Sequence, residues 1–139
     1  MIKRMLANER GFSTTFFAVM MPLILTVVGL CVDGAFVIYY RISLETTAEA
    51  ASFSAIDAYD RTIWNSERTV VIREDWAMDI ASAVIHENLP DARLIGVEVP
   101  EDNKETCIVT VEMDVPTFFL NVVGISEYHL TAKSSATGY

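Results

Sequence analysis

Basic side chains are scarce in this chain. Ten Lys and Arg stand against nineteen Asp and Glu, for a formal net charge of −9. From Arg41 onward there are seven basic and seventeen acidic residues, a net −10. Such a surface argues against nucleic-acid binding, which needs a basic patch. Cysteine is nearly absent too. Cys31 lies in an apolar run and Cys107 far from it in sequence, so no disulfide framework follows. The two histidines are His86 and His129, and His86-Glu87 is not followed by the second histidine of an HExxH zinc site. G-x-S-x-G, a phosphate-binding loop and a dinucleotide fingerprint are all missing. No internal repeat or low-complexity tract occurs. With these chemistries gone, neither a cofactor nor a metal is expected, and the chain does not read as an enzyme. Asp57, Asp60, Asp75 and Asp79 read as a solvated face. A membrane-tethered hydrolase built on them would need a cleft.

Charge of either sign is missing from one long stretch. Residues 12–40 contain no Lys or Arg and a single acidic group, Asp33. A helix over residues 16–38 would be about 34 Å long, enough to cross a bilayer. The eleven residues before it carry Lys3, Arg4 and Arg10 against Glu9, a net +2. Basic flanks stay in the cytoplasm, so the N-terminus is expected inside and the acidic part outside. A cleaved signal peptide is the competing reading, but the apolar run is long for one and no A-x-A site follows it. A lipoprotein site at Cys31 fits badly, because bulky Leu30 precedes it. Tyr39, Tyr40 and Arg41 read as an interfacial belt with a snorkelling cation.

The expected organisation is a basic leader (1–11), a membrane helix (12–40), a helical extension (41–60) and an outer α+β domain (61–139). The 41–60 segment has no Pro or Gly and is rich in Ala, Leu and Glu, so helix continues. One helix from about residue 12 to 60 would measure on the order of 70 Å. Pro22 should kink it by crowding the carbonyl of Ala18, and Gly29 and Gly34 should loosen it. Ala48, Ala51, Ser52, Ala55 and Ala58 recur every three or four residues and share a face. That small-residue face fits either this chain's own domain or a neighbouring helix.

Residues 61–73 read as loop or frayed helix. A second helix is expected over 74–89, with Trp76, Ile80, Ala83 and Val84 facing inward, Ala77 and Ala81 beside them, and Pro90 ending it. Three strands follow, at 94–99, 106–115 and 127–136. In the middle one Cys107, Val109, Val111, Met113 and Val115 fall on one face, so Cys107 reads as core. Tyr128, Leu130, Ala132 and Ser134 share a side of the last. Between these strands, residues 117–123 form a short apolar turn stopped by Gly124.

Two stretches of this pattern resemble the TadE/TadG family of tight-adherence (Flp) pilus assembly proteins. The first holds Glu9, Arg10 and Gly11, then the apolar run with Pro22 and Leu23. It continues through Gly29, Leu30, Cys31, Val32, Asp33 and Gly34 to Tyr40, Arg41, Leu44 and the alanine-rich 47–51. The second runs from Val115, Pro116, Thr117, Phe118, Phe119 and Leu120 through Gly124 and Ile125 to the closing strand. The resemblance implies a pilin-like fold and a structural role in a pilus and secretion machine of the bacterial envelope. Implied partners are the lipid bilayer, other pilus assembly proteins including TadE/G-like subunits, and a prepilin peptidase. That enzyme would cut between Gly11 and Phe12. The family's typical fifth mature residue is Glu, and here Phe16 stands in its place. The alternative function is an extracytoplasmic binding or adhesin-like module on an inert anchor. Asp33 has two readings: pairing with a cation on a neighbouring subunit, or lying at the outer membrane interface.

Overall fold

A long apolar helix needs no neighbours to satisfy its backbone, and the first half of this one has few. The computed structural model describes residues 9–138, with only the backbone for 9–12. Helix α1 (Glu9–Ala55) runs unbroken through Pro22, and a 3-10 turn (Ile56–Ala58) ends it. It therefore stops short of the expected Asp60. Tyr59 is already extended and bridges to Ile72. The Pro22 carbonyl receives the Thr26 hydroxyl at 2.8 Å. Among the described residues, one helix is long and apolar enough to cross a membrane.

Residues 59–73 are more ordered than the frayed segment expected there. Asp60 caps a short helix α2 (Arg61–Glu67), accepting from the Thr62 N–H at 2.8 Å and the Ile63 N–H at 3.4 Å. Val70 and Ile72 are buried. The Ile72 N–H donates to the Lys104 carbonyl and the Arg73 N–H to that of Ala58. Tyr59 and Trp64 pack partly against the core as well, and these scattered inward side chains follow no single period.

Helix α3 (Glu74–Asn88) packs on the second half of α1 and on the edge strand β1 (Arg93–Glu98). Its buried residues are Ala77, Ala81 and Ile85, one per turn. The inward face is thus centred one position on from the expected one, with Ile80 and Val84 half-buried against the core at its flank. Trp76 is exposed, with the Arg73 guanidinium 4.3 Å above its ring, and Ala83 is exposed as well.

Strands β1, β2 (Thr106–Pro116) and β3 (Glu127–Thr137) form an antiparallel sheet in that order. The inner face presents Cys107, Val109, Val111, Met113 and Val115 from β2, as the alternation requires. Leu130, Ala132 and Ala136 of β3 lie beside them, and Ser134, opposite Val109, is half-buried. Tyr128 is exposed at the sheet's end. In β1 a register shift between Leu94 and Gly96 leaves Ile95 unpaired and exposed. That bulge brings Leu94 and Val97 to the inner face together and explains the weak alternation of this strand.

The architecture is thus α+β. α1 crosses β2 and β3, and α3 fills the corner between α1 and β1. The stripe Ala48, Ala51, Ser52, Ala55 and Ala58 is fully buried in this contact. The Ser52 hydroxyl donates to the Glu49 carbonyl and lies 3.2 Å from the Ser134 hydroxyl. Of the two readings of the stripe, packing on the chain's own domain is the one observed. It is consequently not a free face for another helix. Cys107 is sealed in the same core, and burial pushes its thiol up to about 11, far from a nucleophile at neutral pH.

The opposite face of the sheet is polar. Asp114 accepts from the Arg93 guanidinium and lies 2.7 Å from His129 Nδ1. Glu98 meets Lys133 at 3.3 Å across the same face. The His129 hydrogen bond, and then the nearby Arg93 charge, hold the Asp114 carboxyl below the usual range. A carboxyl lowered by folding stabilises the fold above its ordinary value, and that contribution is lost as pH falls through the folded value. Asp114→Asn should therefore melt lower than the parent at neutral pH. The gap should narrow as pH falls below the ordinary carboxylate value of about 4, and close once the parent's folded carboxyl, held lower, takes up its proton. Melting followed by the fluorescence of Trp64 and Trp76 between pH 7 and pH 2 reads this. A gap constant across that range would show that the charge contributes nothing.

Candidate functional site

The buried stripe of α1 does not stop at the head. Followed back along the helix it passes Leu44, Tyr40 and Val37 to Asp33 and Gly29. These positions recur at three- and four-residue intervals, so one face is covered from Gly29 onward. What covers its lower end is the β2–β3 connection, residues 117–126.

This connection is an apolar tip. Between Pro116 and Ser126 it has no charged residue. A 3-10 turn (Leu120–Val123) forms its end, and Gly124 closes it at φ +92°, in the left-handed region that favours glycine. The first N–H groups of any helical turn lack internal partners. No side chain of the tip caps this one, because the Thr117 hydroxyl donates to the Ile125 carbonyl instead. The cap arrives from α1. The Phe118 N–H donates to Asp33 Oδ1 at 3.0 Å. The Phe119 and Leu120 N–H groups donate to Asp33 Oδ2 at 2.9 and 2.7 Å. Three consecutive donors converge on one carboxylate, a charge-assisted nest. Asp33 is 1% exposed.

Two further contacts flank this clasp. Phe118 and Phe36 have ring centroids 5.7 Å apart. Phe119 lies directly on Gly29, where an added Cβ would stand 2.3 Å from its Cδ1 and 2.9 Å from its Cβ. Gly29 is therefore a docking surface, not a loosened joint. Gly34 has open space around it. Gly29→Ala should displace Phe119. It raises helix propensity by about 1 kcal/mol but adds an overpacking cost of about 1–3 kcal/mol. The expected result is an intact helix with a loosened tip, seen as faster amide exchange over residues 118–120. Adding Phe119→Gly, which removes the ring and the Cβ together, should relieve the clash and restore the Asp33 bonds. Tip protection unchanged in Gly29→Ala alone would refute the docking role.

Neither expected reading of Asp33 includes this pairing within the chain. Its carboxylate is engaged by its own chain, and it is buried beneath the tip. The signals were present in the sequence: one carboxylate in an apolar run, and one apolar turn lacking a cap. Their separation of 85 residues hid the pairing. The remaining residues of interest are more dispersed. Gly11 and Phe12 lie in the first turns of α1, their side-chain surroundings outside the described residues, as is the leader with Lys3 and Arg4. Phe16 is exposed. Arg41 pairs with Glu45 at 3.0 Å, one turn on.

Above the clasp, on the head, Asp57, Asp60, Asp79, Tyr59 and Trp76 line an open cleft of about 500 Å³. A cleft next to these carboxylates was not anticipated. Within it Asp60 is used as the α2 cap, and the Thr62 N–H first of all lowers its pKa. That shift runs opposite to the one a general acid requires. Asp75 is likewise lowered, by its hydrogen bond from Arg73.

No family model matches this chain, and neither a curated protein nor a solved structure matches it.

Proposed function

We propose that this chain is a single-pass protein of the bacterial cytoplasmic membrane, N-terminus inside and head outside. Its role is that of a pseudopilin-like structural component of a tight-adherence pilus assembly and secretion machine. One observation carries the reading. A single helix is bare and apolar in its first half, and in its second half is built into a small antiparallel sheet. The basic leader and acidic head support the orientation. The resemblance of the two sequence stretches to TadE/TadG proteins supplies the machine.

The exposed face of α1 above the membrane segment, with Ile42, Glu49 and Phe53, is what this reading offers to neighbouring subunits. The buried alanine stripe is not. The test is affinity purification of the full chain from membranes of a strain that builds the pilus. Recovery of the pilus platform or of other TadE/G-like proteins is expected, and their reproducible absence would overturn the reading. The mass of the recovered protein adds the processing state. A start at Phe12 marks peptidase cleavage and extraction into a fibre, and a start at Met1 marks a permanent anchor.

The adhesin-like alternative treats the anchor as inert and exchangeable. The Asp33 and Gly29 contacts weigh against it, because the anchor carries half of the clasp.

A further inference from the structure

We infer that the β2–β3 tip is a membrane-inserted wedge, with Val122 and Val123 in contact with lipid acyl chains of the outer leaflet. This rests on the membrane-spanning reading of α1 and adds a second point of insertion to it. The first argument is length. The apolar part of α1 that is free of the head runs over residues 16–28, about 20 Å of helix. A hydrocarbon core is about 30 Å thick. A bilayer that starts at Phe16 therefore extends past Gly29 and Asp33, where the tip is clasped to the helix.

Composition gives the second. Val122 is 86% exposed and Val123 73%, and the tip carries no charge. Val122, Val123 and Leu120 share a groove of about 320 Å³ with Leu25 and Leu30 of α1, so the apolar surfaces of tip and helix are continuous. In water an apolar patch of this kind on a loop end is a liability.

The third argument is the backbone. Irregular chain tolerates hydrocarbon only where its polar groups are satisfied within the protein. Here the N–H groups of residues 118, 119 and 120 go to Asp33. Those of Thr117, Val122, Gly124 and Ile125 go to carbonyls of the tip itself. The buried carboxylate thus supplies what water would supply to an ordinary loop. It explains why an acidic group lies in this apolar run.

The test places single tryptophans in the full chain and reconstitutes it in phosphatidylcholine vesicles with brominated acyl chains. Val122→Trp reports on the tip and Leu23→Trp on the anchor, each read as emission added over the parent. Loss of most of the added emission in both variants, with aqueous iodide ineffective, is the expected result. If Leu23→Trp is quenched by bromine and Val122→Trp by iodide, the wedge is wrong and the anchor stands. If bromine quenches Leu23→Trp while neither quencher reaches Val122→Trp, protein covers the tip, a second copy included, and the wedge is again wrong. If bromine fails at Leu23→Trp, the membrane-spanning reading falls and the wedge with it.

Discussion

Asp33→Ala should free the tip while leaving the sheet intact. Three N–H donors lose a common acceptor in a site that water reaches poorly, and each was bonded to a charge. Amide exchange at Phe118, Phe119 and Leu120 should accelerate on the order of a hundredfold, while β2 and β3 keep their protection. Asp33→Asn should fall between. Its carbonyl oxygen still accepts, but the amide group turns hydrogens toward donors, so the two-oxygen nest cannot form. Both variants are measured on the full chain in lipid nanodiscs. The competing role for Asp33, pairing with a cation on a neighbouring subunit, predicts something else: unchanged tip exchange in isolated protein and a loss confined to assembly. Unchanged protection at all three amides in Asp33→Ala would therefore refute the clasp.

The consequence of the clasp is mechanical. A membrane helix joined to a head by one chain segment swivels. This helix is joined twice, through its own continuation into the core and through the tip. Forces on the head pass to the helix over the whole length from Gly29 to the end of α1. Under the pilus reading, that coupling lets assembly machinery act on the head and move the anchor with it.

The central strand was legible in the sequence because it buries one face with a clean period, and the long helix because a nearly uncharged apolar run leads into an alanine-rich extension without Pro or Gly. β2 alternates without a break, and its boundaries fall within one residue of expectation. Other features were hidden for identifiable reasons. In β1 the bulge at Ile95 resets the alternation. In α3 the large apolar residue, Trp76, drew the inward face toward itself. Close approach to an alanine-lined α1 leaves room for Ala77 and Ala81 and none for an indole. The Asp33 clasp joins residues 85 apart, and no local pattern reports such a pair. Small residues at helical spacing fit two partners equally well, and only the packed structure chooses.

That choice gives the second large effect. Ala51 is fully buried where α1 meets the rest of the head. Ala51→Leu adds three carbons to a contact without space for them. Overpacking of this kind costs about 1–3 kcal/mol. For a head of this size each kcal/mol shifts melting by roughly 4–8 °C, so a fall of about 5–20 °C is expected in the thermal transition. Phe53, two residues on and exposed, provides the control, because Phe53→Ala should change stability by no more than about 0.5 kcal/mol. Under the pilus reading the two variants separate again in the cell. Ala51→Leu should lower the amount of folded protein, while Phe53→Ala should leave the amount unchanged and weaken recovery of partner subunits. A stripe that served another helix would give the reverse for Ala51→Leu, with normal melting of the isolated protein and lost association. Melting unaltered by Ala51→Leu would return the stripe to that intermolecular role and remove the basis for assigning assembly to the Phe53 face.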